Sequence, residues 1–217
     1  MNRRIKQLHL ITTGCQELDE VAAIIRDLPV RLIDALHIRE KHRTARELIH
    51  WYQTLKPLLP RASVLLNDRV DAALAVQAGG VQLGFGSLSP AEARSLLPAA
   101  MLIGRSVHAP EEAAEAAAQG ADFVLFGHVY ESGSKPGLPA RGLQALSQTV
   151  KSSPVPVIAI GGVTPERTEE VLAAGAGGIA VLSSILLHRE PGLQVERFRQ
   201  ALDGMSPTLP QGENSYE

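Results

Sequence analysis

Two doublets in the C-terminal third, Gly161-Gly162 and Ser183-Ser184, have the composition of loops that hold an anion on backbone N–H groups. Glycine lets the main chain approach an oxyanion closely, and the serine hydroxyls add donors. The glycines would also serve a plain strand-to-helix turn; it is the presence of both doublets that favours the anion. His108, with Arg105 and Ser106 just before it, contributes an imidazole able to take and give a proton near neutral pH. The alternative for His108 is a cap on the helix that starts at Pro110, and His128 is a second candidate imidazole. Arg39, Arg105 and Lys135 supply cations suited to a carboxylate or phosphate, although each could instead pair with Glu40 or Glu131. Ser132-Gly133-Ser134-Lys135 puts two hydroxyls and an ammonium around a glycine, a composition that can wrap an anion or form a lid.

Other chemistries are poorly served. Asp68 has no partner carboxylate in Gly84-Phe85-Gly86-Ser87, and His9, His37, His42, His50 and His188 are not at metal-ligand spacing, so no metal site is expected. Cys15, the single cysteine, has no intrachain disulfide partner and no evident base beside it.

These residues need a frame that brings them together, and the chain supplies one by alternating short apolar runs with helical patterns. The strands expected are Leu8–Thr12, Leu32–Ile38, Val64–Leu66, Val81–Leu83, Met101–His108, Asp122–Phe126, Val157–Ile160 and Ile179–Leu182. Between them, Leu18, Val21, Ala22, Ile25 and Leu28 form one helical face, Ala45–Leu59 and Val70–Ala78 two further helices, and Gln194–Leu202 the last. Ser89-Pro90-Ala91-Glu92 and Thr164-Pro165-Glu166 read as helix starts. Eight β-α pairs predict an α/β fold, a single (β/α)8 TIM barrel over residues 1–205 with a polar tail over 206–217. In such a barrel, strand ends and the loops after them make the active face. This selects Asn67, Gln82 and the residues named above.

With 217 residues, 45% hydrophobic composition and a formal charge of -2, the chain is an ordinary globule. Neither nucleic acid nor a membrane is expected as partner, no run resembles a secretory signal, and a reducing, cytoplasmic compartment is the simplest setting.

Lined up at the strand ends, His37-Ile38-Arg39-Glu40, Asn67-Asp68-Arg69-Val70-Asp71, Gly104-Arg105-Ser106-Val107-His108, Phe126-Gly127-His128-Val129-Tyr130-Glu131 and Ile158-Ala159-Ile160-Gly161-Gly162 resemble the thiamine phosphate synthase superfamily. The resemblance is closer to its thiazole tautomerase (TenI) branch. The synthases couple a pyrimidine pyrophosphate to a thiazole phosphate and hold magnesium on two aspartates; here Ser87 stands in place of the second. That departure, and Gly127-His128-Val129-Tyr130-Glu131-Ser132-Gly133-Ser134-Lys135 after strand six, point to the tautomerase branch.

The resemblance therefore implies an isomerase of thiamine biosynthesis that aromatises a carboxylated thiazole phosphate by proton transfer, with no cofactor and no metal. It implies His108 as the proton-transfer residue and Gly161, Gly162, Ser183 and Ser184 as the phosphate site. Arg39, Asn67, Arg105, Ser132, Ser134 and Lys135 would be further substrate contacts. Two alternatives stand beside it, a synthase-like transferase and a silent barrel that senses a thiazole phosphate. A homodimer is compatible with such a barrel.

Overall fold

A computed structural model of the chain describes residues 6–131 and 137–204. Ser132, Ser134, Lys135 and the tail expected over 206–217 lie outside the described residues. Eight parallel strands close on themselves in sequence order: β1 Gln7–Ile11, β2 Ala35–Ile38, β3 Ser63–Asn67, β4 Gly80–Leu83, β5 Leu102–Val107, β6 Phe123–Gly127, β7 Val157–Ile160 and β8 Gly178–Val181. Leu8 pairs with Ile179 where β1 meets β8, so the barrel has no open edge. The expected single barrel is what forms.

Around it run α1 Leu18–Asp27, α2 Ala45–Leu55, α3 Val70–Ala75, α4 Pro90–Leu96, α5 Pro110–Ala118, α6 Gly142–Ser152, α7 Thr168–Ala173, α8 Ser183–Leu186 and α9 Pro191–Leu202. Thr44 and Ser89 each accept from the backbone N–H three residues on, with Glu47 and Glu92 reaching back, so α2 and α4 start on reciprocal capping boxes. Thr164 makes no such cap; a 3-10 turn at Pro165–Arg167 leads into α7 instead.

Strand alternation divides the apolar residues into two cores. Leu8, Leu10, Leu36, Val64 and Leu66 face outward against helix residues such as Val21, Ile25, Leu48, Trp51 and Leu55. Ile11, Ala35, Leu65, Phe123, Leu125, Ile158 and Ala180 fill the barrel itself. His9 and His37 share that interior, their rings 5.1 Å apart and each edge-on to Phe123. Gly104 makes room for this filling, since a Cβ there would lie 2.2 Å from Gln82 Oε1 and 2.3 Å from Phe123 Cζ.

Most element ends shift by a few residues from the sequence expectation, and three of the shifts bear on the mouth or its frame. Pro29 opens a 3-10 turn over Val30–Leu32, so β2 starts only at Ala35. Strand β5 ends at Val107, leaving His108 one residue past the ladder. Ser183 and Ser184 are the first turn of α8, a helix too short to show a helical period in sequence.

Candidate active site

The loops leaving the carboxyl ends of the strands gather the polar residues of the chain. On the inward face, β3 ends in Asn67, which registers with Gln82 of β4, itself next to Gly104 of β5. Gln82 Nε2 donates to Ser106 Oγ at 3.1 Å, while Gln82 Oε1 and Asn67 Oδ1 are buried without a partner. These two oxygens form the floor of the mouth.

His108 sits above that floor. Its Nδ1 is 2.8 Å from the Gly127 carbonyl, and its backbone N–H donates to Glu112 Oε2 at 2.7 Å. The ring does not cap α5, whose N-cap is Ala109. Since a carbonyl oxygen only accepts, the proton is on Nδ1, and in the neutral ring Nε2 carries a lone pair. His128 is turned elsewhere: it is buried, and its Nε2–H donates to Leu138 O at 3.1 Å.

The glycine doublet has a role that the sequence did not reveal. Gly161 and Gly162 take φ of 101° and 64°, and a Cβ on Gly161 would lie 2.3 Å from His128 Cβ. On Gly162 it would lie 2.5 Å from Glu131 O. What approaches these glycines closely is therefore the loop after β6, which continues the ladder through Val129 N–H to Ile160 O and Tyr130 N–H to Gly161 O. The N–H groups of Gly161, Gly162, Ser183 and Ser184 donate to no backbone carbonyl among the described residues, so both loops keep donors for an anion.

Cations ring the mouth. The Arg39 backbone N–H donates to Thr12 Oγ1 at 2.8 Å, and no carboxylate lies within ion-pair distance of its guanidinium among the described residues. Arg105 lies on the outward face of β5 and donates to Gly84 O and Leu88 O at 2.8 and 3.2 Å, so its fork holds the loop after β4. Two further arginines went unnoticed in the sequence. Arg141 donates to Gly127 O and His108 O, and Arg167 donates to Gly162 O at 3.0 Å with its guanidinium 4.6 Å above the Tyr130 ring. Nothing periodic marks either residue; each is an exposed or half-exposed arginine at the start of a helix.

A cavity of about 220 Å³ opens between the loops after β1 and β2, lined by Cys15, Glu40, His42 and Arg43 among others. Burial pushes the Glu40 carboxyl above its ordinary range, against hydrogen bonds from Thr12 and Gly14 and the charges of Arg43 and Arg39. Cys15 is exposed, with Thr13 Oγ1 3.1 Å from its sulfur.

One carboxylate ties the loops after β3 and β4 together. Asp68, at φ of 63°, accepts on Oδ1 from Gly84 N–H at 2.8 Å and from the Ser87 hydroxyl. No group of three His, Cys, Asp or Glu side chains able to hold a metal occurs among the described residues. One carboxylate engaged in closing a loop does not fit a magnesium ion held by the protein, which wants near-octahedral oxygen ligands.

Comparisons with known proteins bear on what this mouth does. The family model described as thiamine monophosphate synthase (TMP-TENI) matches residues 8–185. The thiamine-phosphate synthase of Chlorobium phaeovibrioides is 40% identical over 174 residues, 78% of this chain and 83% of that protein. That of Salinibacter ruber is 36% identical over 207 residues, 94% of this chain and 91% of that one. Among solved structures, a thiamine phosphate pyrophosphorylase from Pyrococcus furiosus superposes with a TM-score of 0.79 at 32% identity, covering 92% of this chain and 96% of its own. Relatives at 35–40% identity carry the synthase name, which overturns the isomerase, tautomerase and TenI expectations drawn from the narrower resemblance. A single-position departure such as Ser87 does not separate the branches of a superfamily that shares the surrounding motifs.

Proposed function

We propose that this chain, which belongs to the thiamine monophosphate synthase family, is a transferase that joins a pyrimidine pyrophosphate to a thiazole phosphate, as the synthase names of its relatives suggest. The observation that carries the reading is the distribution of positive charge and open N–H groups around one mouth. Gly161, Gly162, Ser183 and Ser184 offer donors after β7 and β8, and Arg39 stands after β2, with only β1 between β2 and β8. Two anion-holding regions suit a reaction between two phosphorylated partners.

In this reading the loops after β7 and β8 anchor the monophosphate, and Arg39 faces the pyrophosphate. Joining the partners breaks the bond to the pyrophosphate, whose growing charge a guanidinium offsets best where water is excluded. Asn67 and Gln82 meet the heterocycles from below. His108 presents Nε2 to the ligand as a hydrogen-bond acceptor, and Arg105 acts through the loop that it pins. Ser132, Ser134 and Lys135, outside the described residues, would add hydroxyls and an ammonium as further ligand contacts. No helix among the described residues is long and apolar enough to cross a membrane, and a cytoplasmic setting accords with a single free cysteine.

The test is direct. The purified chain is incubated with both phosphorylated partners, with and without added magnesium, and thiamine phosphate is followed by fluorescence after oxidation. Product should form, and Arg39→Gln should lower kcat/KM roughly 100-fold, the scale on which loss of one donor to a developing charge is felt. Absence of product under both conditions would overturn the reading.

A further inference from the structure

We infer that Arg141 is the positioning residue that makes His108 a one-sided proton acceptor, holding its Nδ1–H on the Gly127 carbonyl so that Nε2 meets a donor on the ligand. The β5–β6 ladder has its last register pair at Val107 and Phe126, so His108 and Gly127 lie one step beyond it, where no strand bond holds them together. Arg141 spans that gap. Its Nε donates to Gly127 O at 3.1 Å and its Nη1 to His108 O at 2.9 Å, so one planar fork joins the two strand ends.

The same Gly127 oxygen is the acceptor for the His108 ring, at 2.8 Å. Its direction decides which ring nitrogen carries the proton, and the guanidinium fixes that direction. The fork is itself held in place, because Arg141 N–H donates to His128 O and Gly142 N–H to Val129 O, both at 3.0 Å. Arg141 precedes α6 without capping it by a side-chain bond, and no ion pair engages it among the described residues.

Other charged and titratable groups reach His108 from the neighbouring elements. Glu112 of α5 accepts from the His108 backbone N–H, which fixes the main chain but leaves the ring free to turn. His128, on the strand-six side, spends Nε2 on Leu138 O. Neither selects a nitrogen of the His108 ring. A lysine at position 141 would carry the charge but not the planar array, and a single ammonium does not reproduce donors fixed in two directions of one plane.

This inference rests on the transferase reading only for the identity of the ligand; the tautomer is a property of the free protein. The experiment is therefore long-range 15N–1H correlation on the free chain with labelled histidine, at a pH where the rings are neutral, with His108→Gln assigning the signals. Wild type should show Nε2 as the unprotonated nitrogen. Arg141→Gln and Arg141→Lys should both move the two His108 nitrogens toward averaged shifts, whereas Glu112→Gln should not. An unchanged tautomer in both Arg141 variants, or a proton on Nε2 in wild type, overturns the inference. Either variant suffices should the other fail to fold, and circular dichroism establishes which has folded.

In the coupling assay, Arg141→Gln should lower kcat roughly 10- to 100-fold with KM little changed. Added to His108→Gln it should have little further effect. Full additivity of the two losses would show that Arg141 acts by another route, while an inactive wild type with the expected NMR result would fault the transferase reading alone.

Discussion

Gly161→Ala is expected to destabilise the barrel by about 2–4 kcal/mol and to remove the activity of the mouth, because two penalties coincide at one backbone position. A residue with a side chain rarely adopts φ of 101°, and its Cβ would lie 2.3 Å from His128 Cβ and 2.7 Å from His128 Cα. Neither atom is the far end of a flexible chain, so the loop after β6 must move as a unit. Urea unfolding measures the first effect as a lower midpoint at constant slope, and phosphate-ligand titration measures the second. Gly86→Ala is the internal control, since a Cβ there meets nothing within 4 Å. If the two substitutions cost the same, the close approach of the two loops is not what requires glycine at 161.

The second large effect is acid destabilisation through His37. Its ring is fully buried in the barrel, with Nε2 2.9 Å from His9 Nδ1 and Nδ1 unpartnered, and burial lowers its pKa from 6.5 to about 3. The unfolded chain thus binds a proton between pH 6.5 and 3 that the folded chain refuses. Stability must rise with pH across that window and fall as acid is added, by about 1.4 kcal/mol per pH unit well inside it. Between pH 7.5 and 5 this one ring accounts for a loss of about 2 kcal/mol. Denaturant titrations at several pH values test it, with His37→Gln expected to flatten the profile by that amount while the rest of the curve keeps its shape. Parallel profiles for wild type and variant would mean that the neutral ring is not the source.

Much of the architecture follows from local pattern alone. Eight apolar runs, the proline-led helix starts and the polar strand ends place the mouth before any contact is known, because strand alternation and capping act within a few residues. The misplacements came from features that sequence periods do not carry. A 3-10 turn after Pro29 borrowed Leu32 from the expected strand, and a four-residue helix absorbed Ser183 and Ser184. Gly161 and Gly162 were legible as glycines, but not the identity of the group that crowds them. Arg141 bonds to carbonyls at the ends of β5 and β6 and Arg167 to Gly162 O in the loop before it, and neither bond leaves a mark that distinguishes the arginine in sequence from one that faces water. The reaction class is not legible in single departures such as Ser87, whereas similarity over most of the chain favours the synthases.

The floor of the mouth has a last consequence, which concerns what the barrel turns away. Asn67 Oδ1 and Gln82 Oε1 lie on adjacent strands, buried and without a hydrogen-bond partner among the described residues. A guest of the right outline that brings no N–H or O–H group to them would seal both oxygens off from water with nothing in return. That is the arrangement in which discrimination is steepest, since rejection grows with each stranded acceptor rather than with the shape of the guest. Look-alike heterocycles that lack the donors should therefore be refused at the floor, however well their phosphates suit the rim.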